Sequence, residues 1–174
     1  MKLGTPQTRD EDTTLVQGNG CYAGDRFPTD TLTMYVLRSD IASGRIKAIE
    51  TSHAEDMPGV RLILTSKTIE DAGMKPFPIR FMPPGQTIDA PPVWPLARDY
   101  VRYVGEPIAC VIADSQAQAM DAAEALIVDI KSTTALVNPK AADKSNAAKI
   151  WPNGNRIFTL DQGDHRAFKQ ALAE

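Results

Sequence analysis

The stretch Val101-Arg-Tyr-Val-Gly-Glu-Pro-Ile-Ala-Cys-Val-Ile-Ala-Asp114 decides the fold, because it holds the most apolar run in the 174-residue sequence. From Pro107 to Ala113 the residues are apolar without alternation, which is typical of a short strand covered on both faces. Proline has no backbone donor and fits the first residue of a strand, and Gly105 permits a bend before it. We therefore predict a central buried strand at 107–113, preceded by a bulge.

The segments around this strand predict an α+β fold. Alternating or short apolar runs predict further strands at 31–38, 45–50, 60–65 and 126–130. Helices are predicted at 52–55, 66–72 and 115–126. Ser52 and Ser115 have Glu55 and Gln118 three residues further on, at the spacing of a capping box. The helix after Ser115 should bury one stripe, formed by Ala119, Met120, Ala123 and Leu126.

The composition of the chain changes from residue 132 onward. Residues 132–154 are small and polar and resemble a linker, with a helix predicted around 139–143. A short strand is predicted at 155–160, followed by a helix at 166–173 that Gly163-Asp164 caps. Phe168 and Leu172 lie on one side of that helix. The sequence stops there without a C-cap, so we expect the chain to be truncated.

A proline-rich loop spans residues 74–95. Its apolar residues are Phe77, Phe81, Met82 and Trp94. A loop of this length inside a compact domain is usually functional or interfacial. Two interpretations stay open: the loop packs on its own domain, or it forms a contact surface for another domain or for the mouth of a pocket.

Composition excludes several classes of function. Hydrophobic residues make up 43% and charged residues 24%, as in a folded domain, and the formal net charge is −3. No basic block stands out, so neither nucleic acid nor an anionic membrane is expected as a partner. No window is long and apolar enough for a membrane span or a signal peptide, and a cytoplasmic location is the default.

No residue is predicted to be catalytic, cofactor-binding or metal-ligating. Cys21 and Cys110 are far apart in sequence, and His53 and His165 have no companion at ligand spacing. The glycine-rich Gly18–Gly24 segment is close to a dinucleotide fingerprint, but no apolar strand precedes it and Pro28 prevents a helix after it. We interpret it as a glycine-rich turn.

Several ordered blocks together resemble the N-terminal α/β-hammerhead domain of the large subunit of molybdenum hydroxylases, the family of xanthine dehydrogenase, aldehyde oxidase and carbon monoxide dehydrogenase. Val101-Arg-Tyr-Val-Gly-Glu-Pro107, followed by Asp121-Ala-Ala-Glu124, is the most distinctive block. The other blocks are Arg9–Asp12 with Gly18, Gly20 and Tyr22; Leu37–Ser39 with Gly44–Ile46; Ile49–Val60 with Leu64-Thr65; and Asn155 with Gly163-Asp164 and Phe168. One departure is Asp40-Ile-Ala-Ser43, where family members often carry Pro-His-Ala-His.

The resemblance implies a domain organisation and a set of partners. Residues 1–30 would be an irregular N-terminal segment, 31–135 the α/β-hammerhead core with a mixed sheet and packed helices, and 136–174 a linker and the start of the molybdopterin-binding domain. This segment would hold no cofactor. The complete subunit would carry molybdopterin-bound molybdenum, with iron–sulfur clusters and FAD on partner chains or domains. Self-association of the isolated chain is also expected.

The implied function is that of a scaffold and interface domain, not catalytic on its own. The complete enzyme would hydroxylate a heterocycle or an aldehyde with oxygen derived from water. In that family the catalytic glutamate lies downstream of this domain, so we interpret Glu106 as a structural or interface carboxylate. The alternative is a free-standing, non-catalytic binding or assembly module with the same fold.

Overall fold

The computed structural model describes residues 4, 6–7, 9–78, 91–160 and 163–173. The chain divides into two compact units, Met1–Leu32 and Thr33–Glu174. The helices are α1 (Asp12–Val16), α2 (Ser52–Glu55), α3 (Ser66–Asp71), α4 (Gln116–Glu124) and α5 (His165–Ala171). The strands are β1 (Thr33–Arg38), β2 (Gly44–Glu50), β3 (Val60–Thr65), β4 (Tyr100–Val101), β5 (Pro107–Ala113) and β6 (Ile127–Ser132). Single 3-10 turns lie at Ala23–Asp25 and Pro139–Ala141.

The strands form two three-stranded sheets, ordered β1-β5-β3 and β4-β2-β6, and the pairings among the described residues are antiparallel. In the first sheet Val111 lies opposite Tyr35 on one side and opposite Ile63 on the other. The α+β class and the central strand at 107–113 are confirmed. The mixed sheet that we predicted is instead two antiparallel sheets, because the partner of each strand is set by long-range packing that local patterns do not encode.

The first sheet is covered on both faces. Helix α4 packs on one face and contributes Ala122 and Ala123 to a core with Ala109 and Val111, and Leu126, just after the helix, joins the same core. On the other face Cys110 packs with Ile69 and Leu96. This double covering explains why β5 shows no alternation of apolar and polar residues.

The stripe predicted for α4 needs one correction. Ala119, Ala123 and Leu126 are buried as predicted, but Ala122 is buried where we predicted Met120, which is half-buried. Residues 119, 122, 123 and 126 follow the i, i+3, i+4, i+7 spacing of a single helix face, whereas position 120 lies at its edge.

The second sheet shares its core with the start of β5. Ile108 is buried with Ala97 and Val101, and Ile46 and Ile130 pack against them. Gly44 is also buried here, and a Cβ on it would lie 2.5 Å from Ile130 Cγ2. The neighbouring strands therefore require glycine at this position.

The predicted helix starts are partly confirmed. Ser115 caps α4 by accepting from the backbone N–H of Gln118, and Asp164 caps α5 by accepting from Arg166 and Ala167. The capping box predicted at Ser52 is wrong, because Ser52 is the first helical residue and follows Thr51.

Two further predictions in the C-terminal part are corrected. The strand predicted at 155–160 is wrong, since no strand of the described chain pairs with these residues. The helix expected around 139–143 is only the 3-10 turn Pro139–Ala141. In the N-terminal unit, the segment that we predicted to be irregular contains α1 and the turn Ala23–Asp25.

Candidate functional site

The candidate site is built around the turn that joins β4 to β5. Gly105 adopts a φ of +90°, a conformation that side chains disfavour, and a Cβ there would meet nothing within 4 Å. Its N–H donates to the carbonyl of Ser39 at 2.7 Å, and the Ser39 N–H donates to the carbonyl of Glu106 at 2.9 Å. Arg38 Nη1 donates to the Gly105 carbonyl at 2.9 Å. These bonds fix the turn to the end of β1.

The side chain of Glu106 closes the turn. One carboxylate oxygen accepts the backbone N–H of Arg102, and the other lies 3.9 Å from Arg102 Nη1. The Glu106 side chain is 14% exposed and that of Arg102 is 24% exposed. A carboxylate this enclosed is tolerated because it is paired and hydrogen-bonded. Its geometry matches the structural role that we predicted for Glu106.

The guanidinium of Arg102 stacks on aromatic rings. Its central carbon lies 4.1 Å from the ring centroid of Trp151 and 5.9 Å from that of Tyr100. Nη1 donates to the Tyr100 carbonyl at 3.1 Å. Nε is buried and makes no hydrogen bond to any residue that the structure describes.

Asn155 holds the segment that carries Trp151. Its Oδ1 accepts from the N–H of Ile150 at 2.8 Å, and its Nδ2 donates to the carbonyls of Ala142 and Ala148 at 3.1 and 2.9 Å. One side chain thus connects three points of an otherwise irregular segment. Its structural effect is to set the position of residues 148–151 beside Arg102.

Two open clefts adjoin the Arg102–Trp151 stack, and both residues line each of them. The first, of about 460 Å³, is also lined by Ser43, Thr133 and Lys149. The second, of about 620 Å³, is bounded by Trp94 and Arg98, whose guanidinium carbon lies 4.7 Å from the Trp94 ring centroid. Clefts of this size accommodate a peptide side chain or a small molecule.

Two apolar residues of the proline-rich loop, Phe77 and Val93, are largely exposed. Phe77 and Val93 form an antiparallel bridge, yet 58% and 55% of their surfaces are exposed. Trp94 is half-buried against Arg98. Phe81 and Met82 lie outside the described residues.

The cysteines and histidines do not form a cofactor site. Cys21 lies in the N-terminal unit, while Cys110 is buried in β5, where burial raises the pKa of its thiol despite the opposing effect of Arg38. His53 lies in α2 and His165 in α5. Within the described ranges no group of three or more His, Cys, Asp or Glu side chains could hold a metal. An iron–sulfur cluster needs several cysteine ligands, and the sequence has two cysteines, one of them buried in β5.

The glycine-rich segment has the geometry of a turn. Helix α1 precedes it in place of a strand, and the short turn Ala23–Asp25 follows it. Gly18 has a φ of +73°, and the Tyr22 N–H donates to the Asp25 carboxylate at 2.8 Å. The predicted glycine-rich turn is confirmed.

None of the described helices has the length and hydropathy that a bilayer crossing requires.

Sequence reasoning singled out Gly105 as a bend and Glu106 as a structural or interface carboxylate, but it did not single out Arg102 or Trp151. Tyr100 and Arg102 are two residues apart, which places both on one side of an extended chain, and this spacing was the available signal for their contact. No local signal pointed to Trp151, since it comes from a distant segment.

Comparison with known proteins shows which family the sequence and the fold resemble. The model of the aldehyde oxidase and xanthine dehydrogenase a/b hammerhead domain matches residues 17–134. The nicotine 6-hydroxylase large subunit of Paenarthrobacter nicotinovorans is 35% identical over 156 residues, which cover 88% of this chain and 18% of that protein.

Solved structures agree with the sequence match. Quinoline 2-oxidoreductase from Pseudomonas putida 86 superimposes with a TM-score of 0.75 at 30% identity, covering 89% of this chain and 20% of the other. A Cu,Mo-CO dehydrogenase superimposes with a TM-score of 0.74 at 27% identity, covering 98% and 22%. The chain spans about a fifth of the length of these relatives. It belongs to the aldehyde oxidase and xanthine dehydrogenase a/b hammerhead domain family.

Proposed function

We propose that this chain serves as the scaffold and interface domain of a molybdenum hydroxylase large subunit. The observation that carries the proposal is that residues 17–134 of this chain match the hammerhead domain model. The relatives that the chain resembles are about five times longer. The described residues offer a packed core and a stacked Arg–Trp surface but no ligand set for a metal. We infer from the packed core and the stacked surface that this chain contributes support and docking.

The relatives support an inference about the activity of the complete protein. We infer hydroxylation of a heterocycle or an aldehyde, with oxygen derived from water. Molybdopterin-bound molybdenum would lie in the rest of the large subunit, and iron–sulfur clusters and FAD would lie on partner chains or domains. The names of several relatives, a large subunit and a subunit of a dehydrogenase complex, support assembly with other chains. A cytoplasmic location is part of this proposal.

The domain limits are proposals as well. Residues 1–30 would lead into a hammerhead core at 31–135, and 136–174 would connect to the molybdopterin-binding domain. Exposed apolar side chains support docking at two segments, the proline-rich loop 74–95 and the C-terminal segment 136–174. Phe77 and Val93 are exposed in the proline-rich loop. Phe168 of α5 and Leu172, which follows this helix, are 63% and 71% exposed.

Purification of the protein under native conditions from its own cells tests this function. We expect residues 1–174 to be recovered within a polypeptide of the length of the relatives, together with partner chains, molybdenum, iron and flavin. Metal analysis, a visible spectrum and peptide mass spectrometry measure this. Recovery of a 174-residue chain without molybdenum or partners would favour the free-standing binding module.

Hydrogen exchange tests the docking surfaces. Residues 74–78, 91–95 and 165–173 should exchange quickly in the 174-residue chain and slowly in the native assembly. Strong protection of both segments in a monomeric 174-residue chain would contradict a docking role.

A further inference from the structure

The charged residues that line the smaller cleft beside Arg102 are all positive. Its described lining includes Arg102 and Lys149 and the hydroxyl groups of Ser43, Thr133 and Thr134, but no Asp or Glu. The Ser43 and Thr133 hydroxyls lie 2.7 Å apart. None of the ion pairs found among the described residues includes Lys149. The cleft therefore presents Lys149, which has no acidic partner among the described residues, near Arg102, whose described acidic partner is Glu106.

Arg102 is incompletely satisfied at this position. Glu106 faces it at 3.9 Å, and the bonds that its guanidinium makes to described residues use Nη1. Nε is enclosed without a partner. The side chain is still 24% exposed, so part of it can be reached from outside. An arginine that ring stacking holds in place, and whose side chain is still partly exposed, is suited to bind a carboxylate.

The remaining lining favours a peptide over a free ion. Trp151, Ile150 and Leu136 give the cleft an apolar wall next to its cationic groups. Such a site accepts an acidic side chain together with the apolar residues beside it.

We propose that this cleft, between Arg102 and Lys149, is a docking site for an acidic peptide segment from the part of the large subunit outside residues 1–174. An Asp or Glu carboxylate of that segment binds the two cations. Charge complementarity carries the choice of partner. The inference rests on the proposed function, because it requires the longer polypeptide.

Zero-length cross-linking of the natively purified assembly tests the proposal. A carbodiimide joins an amine to a carboxylate only when the two are in contact, forming an amide while the reagent takes up water and becomes a urea. We expect peptide mass spectrometry to show Lys149 joined to an Asp or Glu outside residues 1–174. Lys144 is the matched control, since it is exposed in the same segment and does not line the cleft. It should remain uncoupled to that acidic residue.

The outcomes separate this inference from the proposed function. If other lysines of residues 1–174 couple to the rest of the subunit and Lys149 does not, the docking site is wrong and the proposed function stands. Coupling of Lys149 to a carboxylate within residues 1–174 also overturns the docking site. If no longer polypeptide is recovered, the proposed function fails and this inference fails with it.

A variant pair gives a second measurement on the same assembly. Lys149→Glu should speed hydrogen exchange at residues 148–152, because the reversed charge repels the acidic segment. Lys144→Glu should leave that exchange unchanged. Equal exchange in the two variants and the parent protein would overturn the proposal.

Discussion

The carboxylate of Glu106 binds Arg102 twice, through the backbone N–H at one oxygen and through Nη1, 3.9 Å away, at the other. Because Arg102 also stacks on Trp151, this carboxylate connects the β4–β5 turn to the segment around residue 151. The conformation of the turn and the shape of both clefts therefore depend on one acidic side chain.

Replacement of Glu106 should separate its hydrogen bond from its charge. Glu106→Ala leaves the Arg102 N–H without its acceptor in an enclosed place, which costs about 1–3 kcal/mol. Glu106→Gln keeps an acceptor oxygen and should cost less. Urea unfolding of the 174-residue chain, followed by tryptophan fluorescence, measures both. Equal losses for the two variants would mean that the charge of Glu106, and not its hydrogen bond, holds the turn.

Asn155 should control the environment of Trp151. Asn155→Ala removes three hydrogen bonds that hold residues 142, 148 and 150, so we expect a shift of Trp151 emission towards that of an exposed indole. Asn155→Asp keeps the acceptor for Ile150 but loses both donors, and its effect should be intermediate. Each variant is made in a Trp94→Phe background so that Trp151 alone reports. Unchanged emission in Asn155→Ala would show that the segment holds its position without this side chain.

A charge in the central strand should unfold the domain. Val111 is fully buried between β1 and β3. Val111→Asp places an unpaired carboxylate there, at a cost of several kcal/mol, comparable with the stability of a small domain. Circular dichroism and the melting temperature measure this. The control is Val137→Asp, since Val137 is 82% exposed. A Val111→Asp protein that melts like the control would place β5 outside the core.

A methyl group at Gly44 should destabilise the second sheet. Its Cβ would lie 2.5 Å from Ile130 Cγ2 and 3.1 Å from the Lys131 carbonyl. Overpacking of this kind costs about 1–3 kcal/mol. Gly24→Ala is the control, because a Cβ there meets nothing within 4 Å and its φ is not positive. Lost flexibility of the unfolded chain would by itself raise the midpoint. Urea midpoints that fall equally in both variants would therefore show that the contact with Ile130 is not the cause of the loss.

The ion pair between Arg61 and Asp114 should contribute to stability in a pH-dependent way. Two hydrogen bonds of 2.7 and 2.9 Å join the side chains, and the bond from Arg61 lowers the pKa of Asp114. A carboxyl whose pKa is lower in the folded state stabilises the fold above its unfolded pKa, about 3.9, and this contribution is lost as the pH falls through the folded pKa.

Asp114→Asn should therefore lower the melting temperature at neutral pH, by a small amount because the pair is exposed. The difference from the parent protein should shrink as the pH is lowered below about 3.9. Melting curves from neutral to acidic pH measure it. A difference that does not depend on pH would assign the effect to the shape of the side chain.

The elements with strong local signals were predicted well. The bounds of β3 and β5 match the prediction, and Ser115 and Asp164 cap their helices, because each signal acts within a few residues. The family blocks led to the correct domain type for the same reason. Each block is short, the blocks follow one another in a fixed order along the chain, and the most distinctive block contains the turn Gly105–Pro107.

The failures share a physical origin in contacts between distant segments. Residues 155–160 have the composition of a strand, but no strand in the described part of the chain lies beside them to supply hydrogen bonds. The division into two sheets depends on which strands pair across the whole unit. The candidate site was only half predicted, because Trp151 reaches Arg102 through tertiary structure that Asn155 holds in place.

The two cysteine thiols differ in how readily a thiol-reactive label can reach them. Cys21 is exposed, whereas Cys110 is buried in β5 and burial raises its pKa, so it stays protonated and shielded. A maleimide dye will therefore attach to the native chain at Cys21 alone, without any engineered cysteine. Cys110 will react with a second equivalent of dye only when β5 opens. The rate of this second reaction therefore measures how fast the core unfolds.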